Sequence, residues 1–505
     1  MTEAESAAAA NATSGRRLAR NTAVNLVGFG VPLAVALVTV PFVIRGFGTE
    51  RFGLLALTWA VVGYFGLFDL GLGPAIVRNL SRALVLGERA RVAAVVGSSL
   101  ALFAGLGALG GAVAWLAVPR LAAAFLNAEG PLLEEAIACG HVLAFAVPLS
   151  VLYGGLMGIL EAQHRFTLAN AVSVPMGAFS FVSPLLVLPF TDSLVPVVGL
   201  LVLGRLVAVA ALARLALTTT AAARDGLTVE RAEIRHLLRF GGWVTVSRIV
   251  NPLLGYFDRF LIGSLLPLRA LAHYAAPNEI SSRLYVVPTA LIRVLLPAIS
   301  LHSERGDDRV SLLFVRGMKF TFLTMFPIAL CIELYAETGL RLWLGEEFAQ
   351  ASARVLQLLI VGVYANSFAY TATTLLQGVG RPDYSAKLQV AELPLYFIVA
   401  WQATAAYGIV GAAATAALRL AADLIAHLWL CARALGGLDR SALPVLAAAA
   451  AGAVLLLGAM LVEAWKPLAL AGGIAATAAA GWFILLDRPE KVLIGAGAAR
   501  LLNRG

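Results

Sequence analysis

The chain has 505 residues, of which 60% are hydrophobic and only 13% are charged, and its mean hydropathy is +0.86. Soluble domains carry about 25% charged residues, so this composition excludes a soluble globular protein and predicts one membrane domain. The formal net charge of +9 is compatible with a partner that is anionic, either lipid headgroups or nucleic acid.

Apolar stretches follow one another along the chain, each close to the roughly 20 residues that a membrane crossing requires. The predicted spans are residues 22–44, 53–77, 93–119, 135–160, 166–190, 194–219, 241–266, 278–302, 317–340, 351–377, 386–404, 408–432, 442–463 and 468–486. The fold class predicted from this pattern is an all-α polytopic membrane protein with about 14 transmembrane helices.

The connectors between these spans differ strongly in positive charge. Twenty-four Lys and Arg residues lie on the side that holds both termini, against six on the opposite side. Those six are Arg45, Arg51, Arg120, Arg269, Arg341 and Lys466. Cytoplasmic connectors collect basic residues, so both termini are predicted to be cytoplasmic in a bacterial inner membrane. The net charge then reflects topology and anionic lipid, and nucleic acid is not an expected partner.

The two halves of the chain contain similar segments. Residues 160–165 (LEAQHR), after the fourth span, match residues 376–381 (LQGVGR), after the tenth span. Six spans separate the copies, so the halves insert the same way up, and we predict two parallel six-helix bundles around a central cavity. The predicted regions are a disordered tail (1–21), the first bundle (22–219), a cytoplasmic linker (220–240), the second bundle (241–432), two further helices (433–486) and a cytoplasmic tail (487–505).

Several segments in this order resemble a known family over about residues 20–435. They are Asn21–Gly53, Phe68–Leu72 (FDLGL), Tyr256–Gly263 (YFDRFLIG) with Tyr274 downstream, and the two segments that end in Arg165 and Arg381. The chain is similar to the polysaccharide transporter branch of the multidrug/oligosaccharidyl-lipid/polysaccharide exporter superfamily, which includes Wzx-type O-antigen flippases and has a MATE-like fold.

The resemblance implies a flippase that moves undecaprenyl-diphosphate-linked oligosaccharide from the cytoplasmic to the outer leaflet, for O-antigen, capsule or exopolysaccharide assembly. The implied partners are this lipid-linked substrate and membrane lipids, with polysaccharide polymerase machinery as a further candidate. No cofactor is implied. Cys139, Cys331 and Cys431 are far apart in apolar spans, so no metal motif is predicted either.

Arginines within the spans are the candidate ligands of an anionic headgroup, because a guanidinium matches phosphate geometry with two donors. Arg248 and Arg259 are eleven residues apart and return to nearly the same helix face, and Arg293 is near the middle of the next span. We predict that at least one of these three contacts the diphosphate, against the alternative that they form structural ion pairs. The other intramembrane arginines are Arg205, Arg214, Arg283, Arg354 and Arg419, of which Arg214 and Arg354 are placed to snorkel from span ends.

Acidic residues within the spans are the candidates for ion coupling. Asp69 has no cation within one helical turn and is the predicted coupling residue. Glu279 is one turn from Arg283, and Asp258 is adjacent to Arg259, which favours ion pairs. Glu392 is a fourth candidate, and Asp423, one turn from Arg419, is expected to pair with it.

Two other functions remain open as alternatives. An ion-coupled exporter of small molecules has the same fold, but the intramembrane charges here are mostly arginines, whereas a cation exporter needs an acidic cavity. A membrane glycosyltransferase or polymerase needs catalytic residues on large loops, and the longest outer connector is only about residues 120–134, so we predict that the protein is not an enzyme and has no catalytic residues.

Overall fold

The computed structural model describes residues 31–32, 34–64, 72–126, 130–163, 165–220, 226–235, 254–304, 309–437, 439–462 and 465–485. All regular structure in these ranges is helical, which confirms the all-α prediction. Nine helices in this part of the chain are long and apolar enough to cross a membrane. The total of about 14 spans stays a prediction.

The helices follow the predicted spans closely in most of the chain. In order they are α1 (Ala34–Phe47), α2 (Thr49–Tyr64), α3 (Leu72–Val85), α4 (Arg89–Phe125), α5 (Pro131–Ala144), α6 (Ala146–Ala162), α7 (Phe166–Val187), α8 (Leu194–Thr219), α9 (254–265), α10 (Leu268–Arg283), α11 (Val286–Glu304), α12 (Arg309–Leu344), α13 (Glu346–Gly378), α14 (Pro382–Leu435), α15 (Leu443–Ala459) and α16 (Lys466–Ala480).

Two of the predicted spans are each interrupted by a helix break. The predicted span 135–160 breaks at Phe145, between α5 and α6, and the predicted span 278–302 breaks at Leu284–Tyr285, between α10 and α11. The carbonyls four residues before Pro148 and Pro288 fall at these breaks. A proline ring clashes with that carbonyl and provides no N–H, so the regular hydrogen-bond ladder ends there.

Helix α14 is two helices joined at Gly408. It has 54 residues, which at 1.5 Å per residue would extend about 80 Å, far beyond a hydrocarbon core of about 30 Å. Gly408 has φ 62° and ψ −145°, a combination that is nearly exclusive to glycine. The chain therefore turns at this residue, between the two spans predicted at 386–404 and 408–432.

Contacts divide the chain into two compact units, residues 1–272 and 273–505. In the first unit α6 packs against α3, α4 and α8, and α7 packs against α8. Its core contains Phe103, Ile159, Leu160 and Leu212, all fully buried. The predicted domain boundaries stay a prediction.

In the second unit α13 is the central helix. It packs against α11, α12 and α14, while α15 and α16 pack on α12. Its core contains Phe314, Met325, Tyr364 and Phe368. Because α13 is surrounded, it is the most buried of the candidate membrane helices.

The two matching sequence segments have the same backbone geometry. After α6, Gln163 has φ −88° and ψ 5°, and after α13, Val379 has φ −87° and ψ 9°. In both turns an arginine N–H is bonded to the carbonyl five residues earlier, over 2.9 Å at Arg165 and 2.7 Å at Arg381. The correspondence of these two segments, predicted from their sequences, is confirmed at the level of the turn.

Candidate functional site

Of the four residues predicted to bind or couple, one side chain is described by the structure. Arg248 and Asp69 lie outside the described residues. The backbone of Arg293 is part of α11, but its side chain is outside the described set. Arg259 is described fully, so these predictions can be examined at that residue alone.

Arg259 lies on α9 and is buried, with 7% of its surface exposed. Its guanidinium carbon is 5.4 Å from the centre of the Tyr256 ring, within the range of a cation–π contact. Its Nε has no hydrogen-bond acceptor among the described residues. The carboxylate of Asp258 accepts the backbone N–H of Arg259 at 2.9 Å.

A buried guanidinium with an unused donor is energetically unfavourable in an apolar region unless an anion satisfies it. The arrangement at Arg259 therefore fits an anionic ligand. The neighbouring Tyr256 ring provides an aromatic face beside the cation, which stabilises the positive charge before a ligand arrives.

The second unit contains a cluster of charged side chains between the two arms of α14, which we call the polar stripe: Glu392, Arg419, Asp423 and His427. The last three are spaced four residues apart, so they lie on one face of the second arm. Glu392 lies on the first arm. The turn at Gly408 brings the two arms together, so residues 385–396 of the first arm face residues 419–427 of the second arm.

Ion pairs connect the stripe across and along the helix arms. Arg419 Nη1 is 3.8 Å from Glu392 Oε2, and the guanidinium carbon of Arg419 is 5.1 Å from the Tyr396 ring centre. His427 Nδ1 is 3.1 Å from Asp423 Oδ1. The expected pairing of Arg419 with Asp423 was wrong, because the turn at Gly408 places a closer carboxylate opposite Arg419.

Neutral polar groups complete the surroundings of the stripe. Ser385 Oγ is 3.2 Å from His427 Nε2, and the amide of Asn366, on α13, donates to Asp423 Oδ2 at 3.4 Å. The rings of Tyr285 and Tyr370 are in contact, tilted by 38° with their centres 5.4 Å apart. Tyr285 is within electrostatic range of Arg419 and Asp423.

Two other predictions for intramembrane residues can be compared with the structure. Glu279 and Arg283 form the predicted ion pair, which is confirmed. Arg214 and Arg354 have exposed side chains, as expected for residues that snorkel. Arg205 lies over the Tyr153 ring at 4.6 Å.

Two polar residues were missed by the sequence reasoning. His427 is buried within the polar stripe, and its spacing of four and eight residues from Asp423 and Arg419 was a usable signal. Glu333, on α12, is completely buried, and neither carboxylate oxygen has a hydrogen-bond partner among the described residues. The amide of Gln357 donates to the Glu333 backbone carbonyl at 3.1 Å instead.

At the predicted outer end of the first unit, Glu135 connects three helices. Its Oε2 is 3.1 Å from Arg51 Nε on α2, and its Oε1 accepts the N–H of Leu194, the first residue of α8, at 2.6 Å. Arg51 and Glu135 border a cavity of about 480 Å³ that Phe47 and Pro131 also line. Because Glu135 lies on α5, one carboxylate holds three helices together.

Comparison with known proteins gives matches of two kinds. A family model described as "Polysaccharide biosynthesis protein" matches residues 18–302, more than half of the chain, and the MatE model matches residues 244–402. A protein of Shigella flexneri named "Putative O-antigen transporter" is 26% identical over 420 residues, which cover 82% of this chain and 97% of that protein.

Solved structures share the fold. An inward-facing multidrug resistance MATE family transporter of the MOP superfamily superposes with a TM-score of 0.68 at 17% identity, over 81% of this chain and 98% of that one. The lipid II flippase MurJ, in an inward closed conformation, also has a TM-score of 0.68, at 12% identity, over 91% and 98%. The predicted MATE-like fold class is confirmed by these two structures.

Proposed function

Because the chain belongs to the polysaccharide biosynthesis protein family, as its motifs predicted, we propose that it is a flippase for lipid-linked oligosaccharide. It carries the undecaprenyl-diphosphate-linked glycan from the cytoplasmic to the outer leaflet of the bacterial inner membrane, for O-antigen, capsule or exopolysaccharide assembly. The observation that carries this proposal is the similarity, over 82% of this chain and 97% of that protein, to the Shigella flexneri protein named "Putative O-antigen transporter".

The protein spans the membrane several times, and in this proposal both termini are cytoplasmic. It acts as a carrier and not as an enzyme, and membrane lipids surround it. Polysaccharide polymerase machinery, which would use the flipped lipid, is the proposed protein partner.

The headgroup-binding part of the proposal rests on Arg259. A diphosphate oxygen would accept from Arg259 Nε, which has no hydrogen-bond acceptor among the described residues. Arg248 and Arg293 are proposed as further ligands of the same diphosphate, and Asp69 as an ion-coupling residue. An oxyanion held by arginines crosses the bilayer without leaving a polar surrounding, which removes most of the desolvation barrier.

A test of the function itself needs the lipid substrate. In a clean deletion strain, lipid-linked repeat units should accumulate on the cytoplasmic leaflet and surface polymer should disappear, and expression of this chain should restore it. Normal surface polymer in the deletion strain, with no second flippase present, would contradict the proposal.

The match of residues 244–402 to the MatE model favours one second candidate, an ion-coupled exporter of small molecules on the same fold. The two functions predict different phenotypes. If the protein is an exporter, the deletion strain should keep its surface polymer and become less resistant to cationic compounds. If it is a flippase, the deletion strain should lose its surface polymer and keep its resistance to these compounds.

A further inference from the structure

The polar stripe of the second unit is the strongest feature that the headgroup site does not use. Two carboxylates, one guanidinium and one imidazole lie together between helices of a membrane protein, and the side-chain exposures of Asp423 and His427 are only 10% and 1%. Ionised groups at such a place are expensive unless their charges cancel. The net charge of the stripe therefore decides which protonation states are stable.

With both carboxylates ionised and His427 neutral, the stripe carries one uncompensated negative charge, since Arg419 balances a single carboxylate. Arg419 pairs with Glu392 across the arms and lies one helical turn from Asp423, so the two carboxylates flank the same guanidinium. Two carboxylates that share a single counter-cation favour the state with one proton, because their mutual repulsion disfavours the doubly ionised state. One added proton makes the stripe neutral.

The ion pair that opposes this protonation is loose. The distance of 3.8 Å from Arg419 Nη1 to Glu392 Oε2 is at the limit of a salt bridge, and that oxygen has no hydrogen-bond partner among the described residues. A strong Arg–carboxylate bridge is shorter and frequently bidentate. Glu392 therefore has a free lone pair that can accept a proton, while Arg419 keeps the Tyr396 ring as a partner.

His427 can respond to the same proton with little rearrangement. Its Nδ1 faces two acceptors, the Asp423 carboxylate at 3.1 Å and the Asp423 backbone carbonyl at 2.9 Å, so Nδ1 carries the hydrogen. Nε2 then accepts from the Ser385 hydroxyl. If Nε2 is protonated, rotation of that hydroxyl is enough to keep the hydrogen bond.

We propose that the polar stripe is a proton-binding site that takes up and releases one proton, held by the Glu392–Asp423 carboxyl pair, in each transport cycle. This inference rests on the proposed function for its role in transport, and it adds a site beyond Asp69. The ligand is a proton and not a metal cation, because the guanidinium of Arg419 already occupies the position of a counter-cation beside Glu392. The other ionisable groups that face the pair are His427, Tyr285, Tyr370 and Tyr396.

Protonation has a mechanical consequence at this place. Glu392 and Arg419 lie on opposite arms of α14, so a proton on Glu392 weakens one of the contacts that join the arms. The free energy of proton binding is then coupled to the relative stability of two arrangements of these arms.

Proton binding can be measured without any transported lipid. The full-length protein is placed in vesicles of phosphatidylethanolamine and phosphatidylglycerol, and infrared difference spectra are recorded as the pH falls from about 8 to about 5. Wild type should gain a carboxylic acid C=O band that Glu392→Gln abolishes and Asp423→Asn shifts or abolishes. The matched control is Glu337→Gln, which removes an exposed carboxylate paired with Arg341 at a helix end and should keep the band.

If the band is absent from wild type, or unchanged in both Glu392→Gln and Asp423→Asn, the proton site is overturned. Either variant alone suffices if the other does not fold, because each removes one member of the pair. These spectra do not depend on flipping, so they distinguish failure of this inference from failure of the proposed function.

Transport gives the second readout. In the same vesicles, a fluorescent undecaprenyl-diphosphate-linked sugar should redistribute between leaflets about tenfold for each unit of imposed pH gradient, if one proton exchanges for each lipid. In the Glu392→Gln variant, the pH gradient should not change the rate of lipid flipping. An unaltered gradient dependence in Glu392→Gln would overturn the coupling role, whereas absence of flipping in wild type under every gradient and potential would overturn the proposed function.

Discussion

Replacing Arg259 separates a binding role from a structural one, because the two roles predict effects of different size. The cation–π contact with Tyr256 at 5.4 Å is the side-chain interaction that the structure gives Arg259, and such contacts contribute about 0.5 to 1 kcal/mol. Arg259→Ala should therefore lower the free energy of unfolding by only about 1 kcal/mol, before any repacking.

The loss of headgroup binding should be larger. A hydrogen bond to a charged group contributes about 1.5 to 3 kcal/mol, so removing the guanidinium from a diphosphate should lower the flipping efficiency by about 10- to 150-fold. Arg259→Lys keeps the charge without the forked donors and should restore only part of that loss.

The assay measures flipping of a fluorescent undecaprenyl-diphosphate-linked sugar in reconstituted vesicles, with thermal unfolding recorded for each variant. Arg214→Ala is the matched control, since it removes an exposed arginine from a span of the same unit. Flipping by Arg259→Ala within twofold of wild type, at normal expression and stability, would refute the headgroup role.

The remaining predictions concern stability and driving force. Gly408→Ala forces a side chain into a glycine conformation and should lower the free energy of unfolding by about 1 to 3 kcal/mol, measured by thermal unfolding, whereas Gly339→Ala, in open helical space, should be neutral or stabilising. Glu135→Ala removes the acceptor of both Arg51 and the Leu194 N–H and should cost about 1 to 3 kcal/mol. The exposed neighbour Glu134→Ala should change stability little, and equal effects would contradict the three-helix role of Glu135. An inside-negative potential of 100 mV should favour outward passage of a diphosphate with about two negative charges by roughly 4 to 5 kcal/mol. If a potassium potential imposed with valinomycin does not change the flipping rate, compensating charge moves with the lipid.

Hydropathy along the chain was enough to predict much of the fold. Helix α8 has the predicted bounds, residues 194 and 219, because each stretch of a membrane helix must be apolar by itself, whatever its neighbours. The sequence also located the turn of α14 to within a few residues, since the predicted spans 386–404 and 408–432 meet next to Gly408. It did not predict the breaks at Phe145 and Leu284–Tyr285, although Pro148 and Pro288 carried the signal for both.

The sequence likewise showed part of the candidate site but not all of it. Charges inside apolar spans are visible in the sequence, so Arg259, Glu392, Arg419 and Asp423 could be identified as unusual before their surroundings were known. Their partners could not be identified. Periodicity predicted that Arg419 and Asp423 share a helix face, and the nearer residue in sequence was therefore the expected ion partner.

The tertiary structure gives Arg419 a different ion partner, because the chain reverses at Gly408 and places Glu392 beside Arg419. The same reversal places Ser385 beside His427, from which it is 42 residues away in sequence. A helical pattern specifies which side chains point in one direction, but which neighbouring helix they meet depends on turns and packing outside that pattern. The sequence by itself therefore determined a helical membrane protein with buried charges. Only the turn at Gly408 and the packing that it produces determined which of those charges lie side by side.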